Sequence, residues 1–270
     1  MATLHLVVHS NSLAKTFSGP KGERVHAVSG VSFDVAPGQV YGLLGVNGAG
    51  KTSVLRMLST VLRPTSGRAE VAGYDVQTHQ AEVRASIGFM SSSTALYGRL
   101  TAKETIEYFG SLFGMMGREL DARVDSLIER LGIGPFADRL CDKLSTGQKQ
   151  RVSIARTLVH DPPVLFFDEP TSGLDVLTAQ VVLEFIEEAK AQGKTIVYCT
   201  HILSEAERLC DRVGVIHAGT IRAEGTVAEL KRAAGSATLE GAFLSLVGHM
   251  RPETRPDAPE PFGPGREGRP

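Results

Sequence analysis

A glycine-rich loop between an apolar run and a segment of helical periodicity constrains this chain more than any other feature. The loop matches the pattern GxxxxGK[ST] and reads Gly45, Val46, Asn47, Gly48, Ala49, Gly50, Lys51 and Thr52, with Ser53 after it. Glycines let successive backbone N–H groups surround a phosphate, and the start of the next helix adds a positive dipole. In such a loop the lysine reaches the β- and γ-phosphates and the threonine hydroxyl ligates Mg²⁺. The loop therefore predicts a site for a nucleotide and Mg²⁺.

The surroundings of the loop argue against a chance match. With 29 glycines among 270 residues, a glycine-rich turn could fit the pattern by accident. Here the loop follows the apolar run 40–44, and the segment after it carries Val54, Leu55 and Leu58 at helical spacing. A buried strand before the loop and a helix after it are the context that phosphate binding requires.

Apolar runs alternate with helical patterns along most of the chain, which predicts an α/β fold with a mainly parallel sheet. Two further runs, 164–167 and 195–199, predict central strands, and residues 213–224 predict a late hairpin. Near the N-terminus, apolar and polar residues alternate over 31–35, which predicts an antiparallel β subdomain. The middle third predicts an inserted helical subdomain at about residues 92–160.

Three residue pairs with capping-box spacing predict where helices begin. They are Thr101 with Glu104, Ser204 with Glu207, and Thr226 with Glu229.

Composition excludes several classes of protein. The formal net charge of −1 gives no overall field that would favour nucleic acid or anionic lipid, so no nucleic-acid partner is expected. No apolar run reaches the roughly 18 to 20 residues that span a bilayer, and the N-terminus does not resemble a signal peptide. The three cysteines form no CxxC pair, so they predict reduced thiols that pack in the core. Residues 251–270 are rich in Pro, Gly, Arg and Glu and predict a disordered tail.

Two acids close the apolar run 164–167. Asp168 and Glu169 lie at the predicted carboxyl end of a parallel strand, where Asp168 could hold Mg²⁺ and Glu169 could polarise an attacking water. Two carboxylates at a strand end also occur as ordinary solvated loop acids. The glycine-rich loop earlier in the chain favours the functional interpretation.

A third motif makes the resemblance specific. Leu144 is followed by Ser145, Thr146, Gly147 and Gln148, and this segment resembles the LSGGQ-type signature of ATP-binding cassette (ABC) proteins. Ser145 would also serve as a plain helix cap, but the motif falls between the loop and the acid strand, in the order of the family. The resemblance covers about residues 13–230. It implies a P-loop NTPase cassette with a RecA-like sheet core.

The resemblance implies roles for three further residues. Asp175 ends a segment similar to the D-loop, which crosses the seam of a cassette dimer. His201 follows an apolar strand and occupies the position of the switch histidine that contacts the γ-phosphate. Phe17 stands where the family places an aromatic ring that stacks on adenine, although a single phenylalanine is more often a core residue. Lys51, Glu169 and His201 are thus the expected catalytic residues.

The family implies a mechanism that one chain cannot complete. Each ATP would lie between the glycine-rich loop of one cassette and the signature helix of another, in a homodimer or in a heterodimer with a second cassette. The expected organisation is a cassette at 4–235, a short extension at 236–250 and the tail. The chain resembles sodium-efflux ATPase subunits that serve ABC-2-type exporters. The expected partners are therefore ABC-2-type permease subunits, which would hold the chain on the cytoplasmic face of the cell membrane.

Ser92 departs from the family pattern. Most cassettes have a glutamine at this position, which touches Mg²⁺ or the attacking water. A serine hydroxyl can ligate or donate a hydrogen bond but has a shorter reach, so a bridging water is expected at Ser92. The glutamine is also often replaced in the ABC-2 subfamily that this segment resembles, which favours a functional serine over a weakened enzyme.

Two other functions compete with an exporter ATPase. A soluble ABC protein acting on ribosomes or DNA would usually carry a second cassette or a long coiled coil, and this chain shows neither. A nucleotide-dependent regulator without hydrolysis would not need Lys51, Asp168, Glu169 and His201 together.

Overall fold

The computed structural model describes residues 6–19, 22–91 and 96–248. Its strands are β1 (Val8–Ser18), β2 (Arg24–Val35), β3 (Val40–Leu44), β4 (Ser66–Val71), β5 (Tyr74–Asp75), β6 (Ile87–Ser91), β7 (Val164–Asp168), β8 (Thr195–Thr200), β9 (Arg212–His217) and β10 (Thr220–Gly225). Its helices are α1 (Lys51–Leu58), α2 (Gln80–Ser86), α3 (Ala102–Leu112), α4 (Gly117–Arg130), α5 (Thr146–Leu158), α6 (Val176–Ala191), α7 (Leu203–Leu209), α8 (Val227–Ala233) and α9 (Leu239–Gly248). Within these ranges, no helix has the length and apolarity needed to span a bilayer.

The larger sheet places the glycine-rich loop near its centre. Its strand order is β10-β9-β3-β8-β7-β6, and all strands except β10 run parallel to their neighbours. Every residue of β3, β7 and β8 is buried, as expected for parallel strands that are covered on both faces. The carboxyl ends of β3, β6, β7 and β8 meet at one edge, so the segments that follow them emerge side by side. The predicted α/β fold is confirmed.

The smaller sheet is antiparallel, with the order β2-β1-β4-β5. Val31, Phe33 and Val35 of β2 are buried, which confirms the strand predicted from their alternation. Phe33 stacks on Tyr41 of β3 with ring centroids 4.6 Å apart. This contact joins the two sheets through their buried faces.

Helices α3, α4 and α5 lie between β6 and β7 in the chain. Thr101 and Glu104 form the predicted capping box, with N–H to oxygen distances of 2.8 and 3.1 Å. The buried faces of these helices share a core that includes Ile106, Leu127 and Val152. The division of the chain at about residues 92–160 into a separate helical subdomain stays a prediction.

The predicted cap at Ser204 is wrong. Helix α7 begins at Leu203, its N-terminal flanking residue is Ile202, and Ser204 lies inside the first turn without capping it. The Thr200 hydroxyl accepts a hydrogen bond from the Ile202 backbone N–H at 2.9 Å, so the chain turns into the helix earlier than the sequence pattern indicates.

The C-terminal part of the described chain agrees with the other local predictions. The hairpin of β9 and β10 and the capping box of Thr226 with Glu229 are both confirmed. Helix α9 lies in the predicted extension at 236–250 and packs on α8 through Leu239. The predicted disordered tail at 251–270 lies outside the described residues.

Candidate active site

The glycine-rich loop connects β3 with the start of α1. At Gly50 the backbone φ is +109°, and an added Cβ would lie 2.6 Å from the Ala27 carbonyl oxygen. Only glycine fits this position, because the left-handed backbone and the close carbonyl both exclude a side chain. Lys51 is the first residue of α1, and the first N–H groups of a helix have no partner within the helix. The loop thus offers an anion site at a helix start.

The Lys51 ammonium group is held at the centre of the site. Its side chain is only 4% exposed. Nζ donates to the carbonyl oxygens of Gly45 at 2.7 Å and Val46 at 3.1 Å, and it lies 3.1 Å from Glu169 Oε1. A buried cation with this donor geometry is placed to exchange carbonyl and carboxylate partners for phosphate oxygens.

Asp168 ends β7 and faces the loop from the neighbouring strand. The Thr52 hydroxyl donates to Asp168 Oδ1 at 3.0 Å, and the Ser91 hydroxyl lies 3.4 Å from Oδ2. Burial raises the pKa of Asp168, and the nearby Glu169 charge raises it further, against the lowering effect of Thr52.

The oxygen pair of Thr52 and Asp168 fits Mg²⁺, which binds through one or two protein oxygens together with substrate phosphates. The described ranges contain no cluster of three or more His, Cys, Asp or Glu side chains that would hold a metal without a substrate.

Glu169 lies between the Lys51 ammonium group and the His201 imidazole. Its Oε1 is 3.1 Å from Lys51 Nζ and 3.3 Å from His201 Nδ1. Burial alone would raise the pKa of Glu169, but its contacts with Lys51 and His201 outweigh burial and lower it. The carboxylate is therefore ionised at neutral pH, and its backbone φ of +51° is a conformation that L residues rarely adopt.

A cavity of about 450 Å³ collects the residues of the loop and the acid strand. Among the predicted residues, its lining includes Asn47, Gly48, Gly50, Lys51, Thr52, Ser53, Asp168 and Glu169. Ala27 of β2 completes the wall and was not anticipated from the sequence. Among the described residues that line the cavity, none belongs to helix α5 or to the segment around Asp175.

The signature segment starts helix α5 away from this cavity. The Ser145 hydroxyl accepts from the Gln148 N–H at 3.3 Å, and Gln148 Oε1 accepts from the Ser145 N–H at 3.0 Å. Thr146 is the first residue of the helix. At Gly147 an added Cβ would lie 2.8 Å from the Thr178 hydroxyl, so the starts of α5 and α6 are in close contact. Within one chain, the signature residues form a helix start that faces no phosphate site of their own.

Asp175 caps helix α6. Its carboxylate accepts from the Thr178 backbone N–H at 3.0 Å and from the Thr178 hydroxyl at 2.7 Å. These hydrogen bonds lower the pKa of Asp175. The structure therefore gives Asp175 a structural partner, and its contact with a nucleotide stays a prediction.

Phe17 lies on β1 opposite Val25 of β2. Its ring is 41% exposed, and Lys15 Nζ lies 5.3 Å from the ring centroid. Strand β2 also supplies Ala27 to the cavity wall, so an exposed aromatic surface stands on the strand pair that borders the phosphate site. Exposure removes the alternative that Phe17 is a core residue.

Residues 28–172 match the family model described as ABC transporter. The chain belongs to the ABC transporter family. It is 41% identical over 228 residues to the ABC transporter ATP-binding protein NatA of Bacillus subtilis, covering 84% of this chain and 93% of NatA. It is 41% identical over 209 residues to the Nod factor export ATP-binding protein I of Paraburkholderia xenovorans, covering 77% and 68%. The probable multidrug ABC transporter ATP-binding protein YbhF of Escherichia coli is 35% identical over 246 residues; the match covers 89% of this chain but only 42% of YbhF.

Solved ABC cassettes share the fold. The dimeric ATP-binding cassette MJ0796, in a post-hydrolysis state bound to ADP and Pi, superposes with a TM-score of 0.75. It is 26% identical, and the match covers 82% of this chain and 98% of that one. This chain is accordingly the ATP-binding subunit of an ABC transporter, and its reaction is ATP hydrolysis.

One predicted site residue of this ABC subunit lies outside the described residues. Ser92 follows β6 directly, and its contact with Mg²⁺ stays a prediction. Its neighbour Ser91 is described, and sequence reasoning missed it. Strands β6 and β7 pair in parallel, and their last residues, Ser91 and Asp168, lie opposite each other. Aligning the ends of the two predicted strands would therefore have indicated that Ser91 lies beside Asp168.

Proposed function

We propose that this subunit powers an exporter whose membrane-spanning part consists of separate ABC-2-type permease subunits. The match to nearly the whole of NatA and the similarity to a Nod factor export protein support this proposal. The permease would hold the subunit peripherally on the inner face of the cell membrane. Sodium or drug efflux is the cargo class that the sequence resemblance suggests.

We assign the cassette to residues 4–235 and a short extension to 236–250. The described part of this extension is α9, which packs on α8 beside β9 and β10. The extension therefore packs at the β10 edge of the larger sheet, which is the edge opposite β6.

The observation that carries the catalytic proposal is the position of the Glu169 carboxylate between Lys51 and His201. An ionised carboxylate at this point can orient a water molecule and accept its proton as the water attacks the γ-phosphate. Lys51 would stabilise the negative charge that develops on the phosphate oxygens, and His201 would contact the γ-phosphate from the next strand. ATP is cleaved to ADP and inorganic phosphate, with the added water supplying the new oxygen.

Thr52 and Asp168 are the residues that would hold Mg²⁺ at this site. When bound, the ion would neutralise negative charge on the phosphate oxygens. The Thr52 hydroxyl and the Asp168 carboxylate are already 3.0 Å apart, so both oxygens face the same point beside the loop. Ser92 is proposed as a more distant member of this set that acts through a water molecule.

The position of the signature segment supports a site shared between two chains. Ser145, Thr146, Gly147 and Gln148 form a helix start outside the cavity of their own chain, and a helix start favours a phosphate. We infer that a second cassette supplies these residues to the ATP of the first, with Asp175 at the seam. In the proposed homodimer, twofold symmetry would complete both sites together. Phe17 would stack on the adenine at the outer end of each site.

Helix α3 and its surroundings offer the face where we place the permease. Exposed apolar side chains lie on this helix and in the segments before and after it, namely Tyr97, Tyr108, Leu112, Phe113 and Met116. Beside them lies a cavity of about 260 Å³ whose lining includes Phe89, Phe109 and Arg156. Contiguous exposed apolar surface of this kind marks a protein contact. Because Phe89 of β6 lines this cavity and Ser91 of the same strand contacts Asp168, the permease would sense the nucleotide site through β6.

Phosphate release from the subunit purified with its permease tests the proposed function. We expect release to require Mg²⁺ and to fall at least about 100-fold in Glu169→Gln, because the amide cannot accept a proton from water. Transport in vesicles should fall in parallel. Unchanged phosphate release in Glu169→Gln would remove Glu169 from the proposed role.

A further inference from the structure

Glu205 is a buried acid that the proposed mechanism does not use. It lies in helix α7 and is 6% exposed. Three hydroxyl groups donate to its carboxylate: Thr171 to Oε1 at 2.5 Å, Tyr198 to Oε2 at 2.9 Å and Thr200 to Oε2 at 2.7 Å. We call these four residues the Glu205 cluster. A buried carboxylate is costly unless it is hydrogen-bonded, so the three donors and the acid require one another.

The hydroxyl donors belong to the two segments that carry the proposed catalytic groups. Thr171 stands two residues after Glu169, and Thr200 stands directly before His201. Both segments are also joined by the backbone, since the Glu169 N–H donates to the Cys199 carbonyl oxygen at 3.0 Å. The two oxygens of Glu205 therefore connect the loop after β7 to the end of β8.

The surroundings of Tyr198 and Thr200 fix both hydroxyl groups as donors to Glu205. Burial, together with the neighbouring Glu205 charge, raises the pKa of Tyr198, so its phenol stays protonated and donates. The Thr200 hydroxyl accepts from the Ile202 N–H while donating to Glu205, which fixes its orientation beside His201.

We propose that Glu205 is a positioning residue that sets the separation between Glu169 and His201 for hydrolysis. This proposal rests on the roles proposed above for Glu169 and His201. In it, the cluster holds the loop after β7 and the loop after β8 as one unit. The present distance of 3.3 Å between Glu169 Oε1 and His201 Nδ1 is then a consequence of the carboxylate that joins their segments. We expect ATP affinity to change little when the cluster is altered, because none of its four residues is among those that line the cavity beside the glycine-rich loop.

Steady-state kinetics of Glu205→Ala, Glu205→Gln and Thr171→Val in the subunit–permease complex test this proposal. We expect Glu205→Ala to lower kcat about 10- to 100-fold with KM for ATP within about twofold, because misplaced reacting groups lose rate rather than affinity. Glu205→Gln keeps one acceptor oxygen and should recover part of the rate. Thr171→Val removes one donor without a change in shape, so it should fold and show a smaller fall. Glu207→Gln is the matched control, since Glu207 lies on the same helix but pairs with Lys231 at 2.6 Å.

A double-mutant cycle separates positioning from simple loss of stability. When His201 is already replaced by alanine, adding Glu205→Ala should lower kcat by less than about twofold relative to His201→Ala alone. The further loss is small because the imidazole that Glu205 positions is absent. An equal fall in both backgrounds, or full turnover in folded Glu205→Ala and Thr171→Val, would overturn the positioning role. If His201→Ala alone kept full turnover, the proposed role of His201 would fail, and the positioning role would fail with it.

Discussion

At the scale of single residues, the site depends on one carboxylate that contacts both an ammonium group and an imidazole. Glu169 Oε1 contacts both Lys51 and His201, and the three groups come from different segments of the sheet edge. The contacts keep Glu169 ionised while leaving Lys51 able to turn to a phosphate. The proposed roles therefore assign ATP binding to Lys51 and hydrolysis to Glu169.

Lys51→Ala should weaken ATP binding. The phosphates lose a charge-assisted donor, which costs about 1.5 to 3 kcal/mol or roughly 10- to 150-fold in Kd. Titration with a fluorescent ATP analogue measures the change. Lys149→Ala serves as control because Lys149 lies on α5, outside the cavity. Equal affinity in Lys51→Ala and wild type would contradict the placement of the triphosphate.

Ser92→Ala should lower ATP turnover several-fold while nucleotide binding persists. The lost hydroxyl would no longer hold the water that joins it to the metal site. Ser93→Ala is the matched control in the same serine run, and Ser91→Ala reports separately on the described contact with Asp168. Phosphate release and ATP affinity are measured for all three variants. Turnover that stays at the wild-type level in Ser92→Ala would exclude Ser92 from the site.

At the scale of elements, the sheet edge gathers the proposed catalytic groups, and helix α3 carries the surface proposed for the permease. Tyr97 and Tyr108 meet edge to face at 5.7 Å, and Phe113 stacks on His160 with centroids 3.6 Å apart. These rings connect the exposed surface of α3 to the end of helix α5. A partner seated there would contact both helices.

Leu112→Asp and Met116→Asp should reduce co-purification of the permease at least about tenfold, because a charge is costly in an apolar interface. The two side chains are 61% and 77% exposed, so neither change should unfold the chain. Leu244→Asp on α9 is the matched control, since Leu244 is also 61% exposed. ATP affinity should stay the same in all three variants. Undiminished co-purification would place the permease on another face.

Asp161 gives a pH-dependent prediction for the junction of α4, α5 and β8. Its Oδ1 lies 3.1 Å from Arg123 Nη2 and 2.9 Å from Lys194 Nζ. Burial raises the pKa of Asp161, but Lys194 and Arg123 outweigh burial and lower it. A carboxylate with a lower pKa in the folded state stabilises the protein above its unfolded pKa of about 3.9, and this stability is lost as pH falls through the folded pKa.

Asp161→Asn should therefore lower Tm at pH 7 by up to about 3 °C, a small change because the pair is partly exposed. The difference from wild type should shrink as the pH falls below about 4. Asparagine tolerates the positive φ of 52° at this position, so backbone strain does not contribute. Thermal denaturation followed by circular dichroism between pH 7 and pH 3 measures the effect. A Tm difference between wild type and Asp161→Asn that grows toward acid pH would contradict the lowered pKa of Asp161.

The sequence predicts those parts of the site that contiguous residues carry. The glycine-rich loop, the acids Asp168 and Glu169, and the capping box at Thr101 each have their chemistry fixed by short spacing. The contact of Ser91 with Asp168 joins residues 77 positions apart, and that of Thr171 with Glu205 joins residues 34 apart. Such contacts depend on strand register and helix placement, which short-range patterns do not report.

At the scale of the whole molecule, the two segments that we propose to share each ATP lie apart within one chain. The cavity carries the loop and the acids, whereas the signature helix α5 begins outside it. The relative MJ0796 is known as a dimer with ADP and Pi. The exposed side chains of Val176 and Leu177, directly after Asp175, also present apolar surface beside the proposed seam.

The mass of Glu169→Gln in solution with ATP and Mg²⁺ tests the shared site most directly. Without hydrolysis, ATP should remain bound between two chains, so light scattering should give twice the 28.9 kDa of the single chain. With ADP the same variant should be a monomer, and Lys51→Ala/Glu169→Gln should stay monomeric with either nucleotide. A Glu169→Gln chain that binds ATP with Mg²⁺ and remains at 28.9 kDa would contradict the two-chain site.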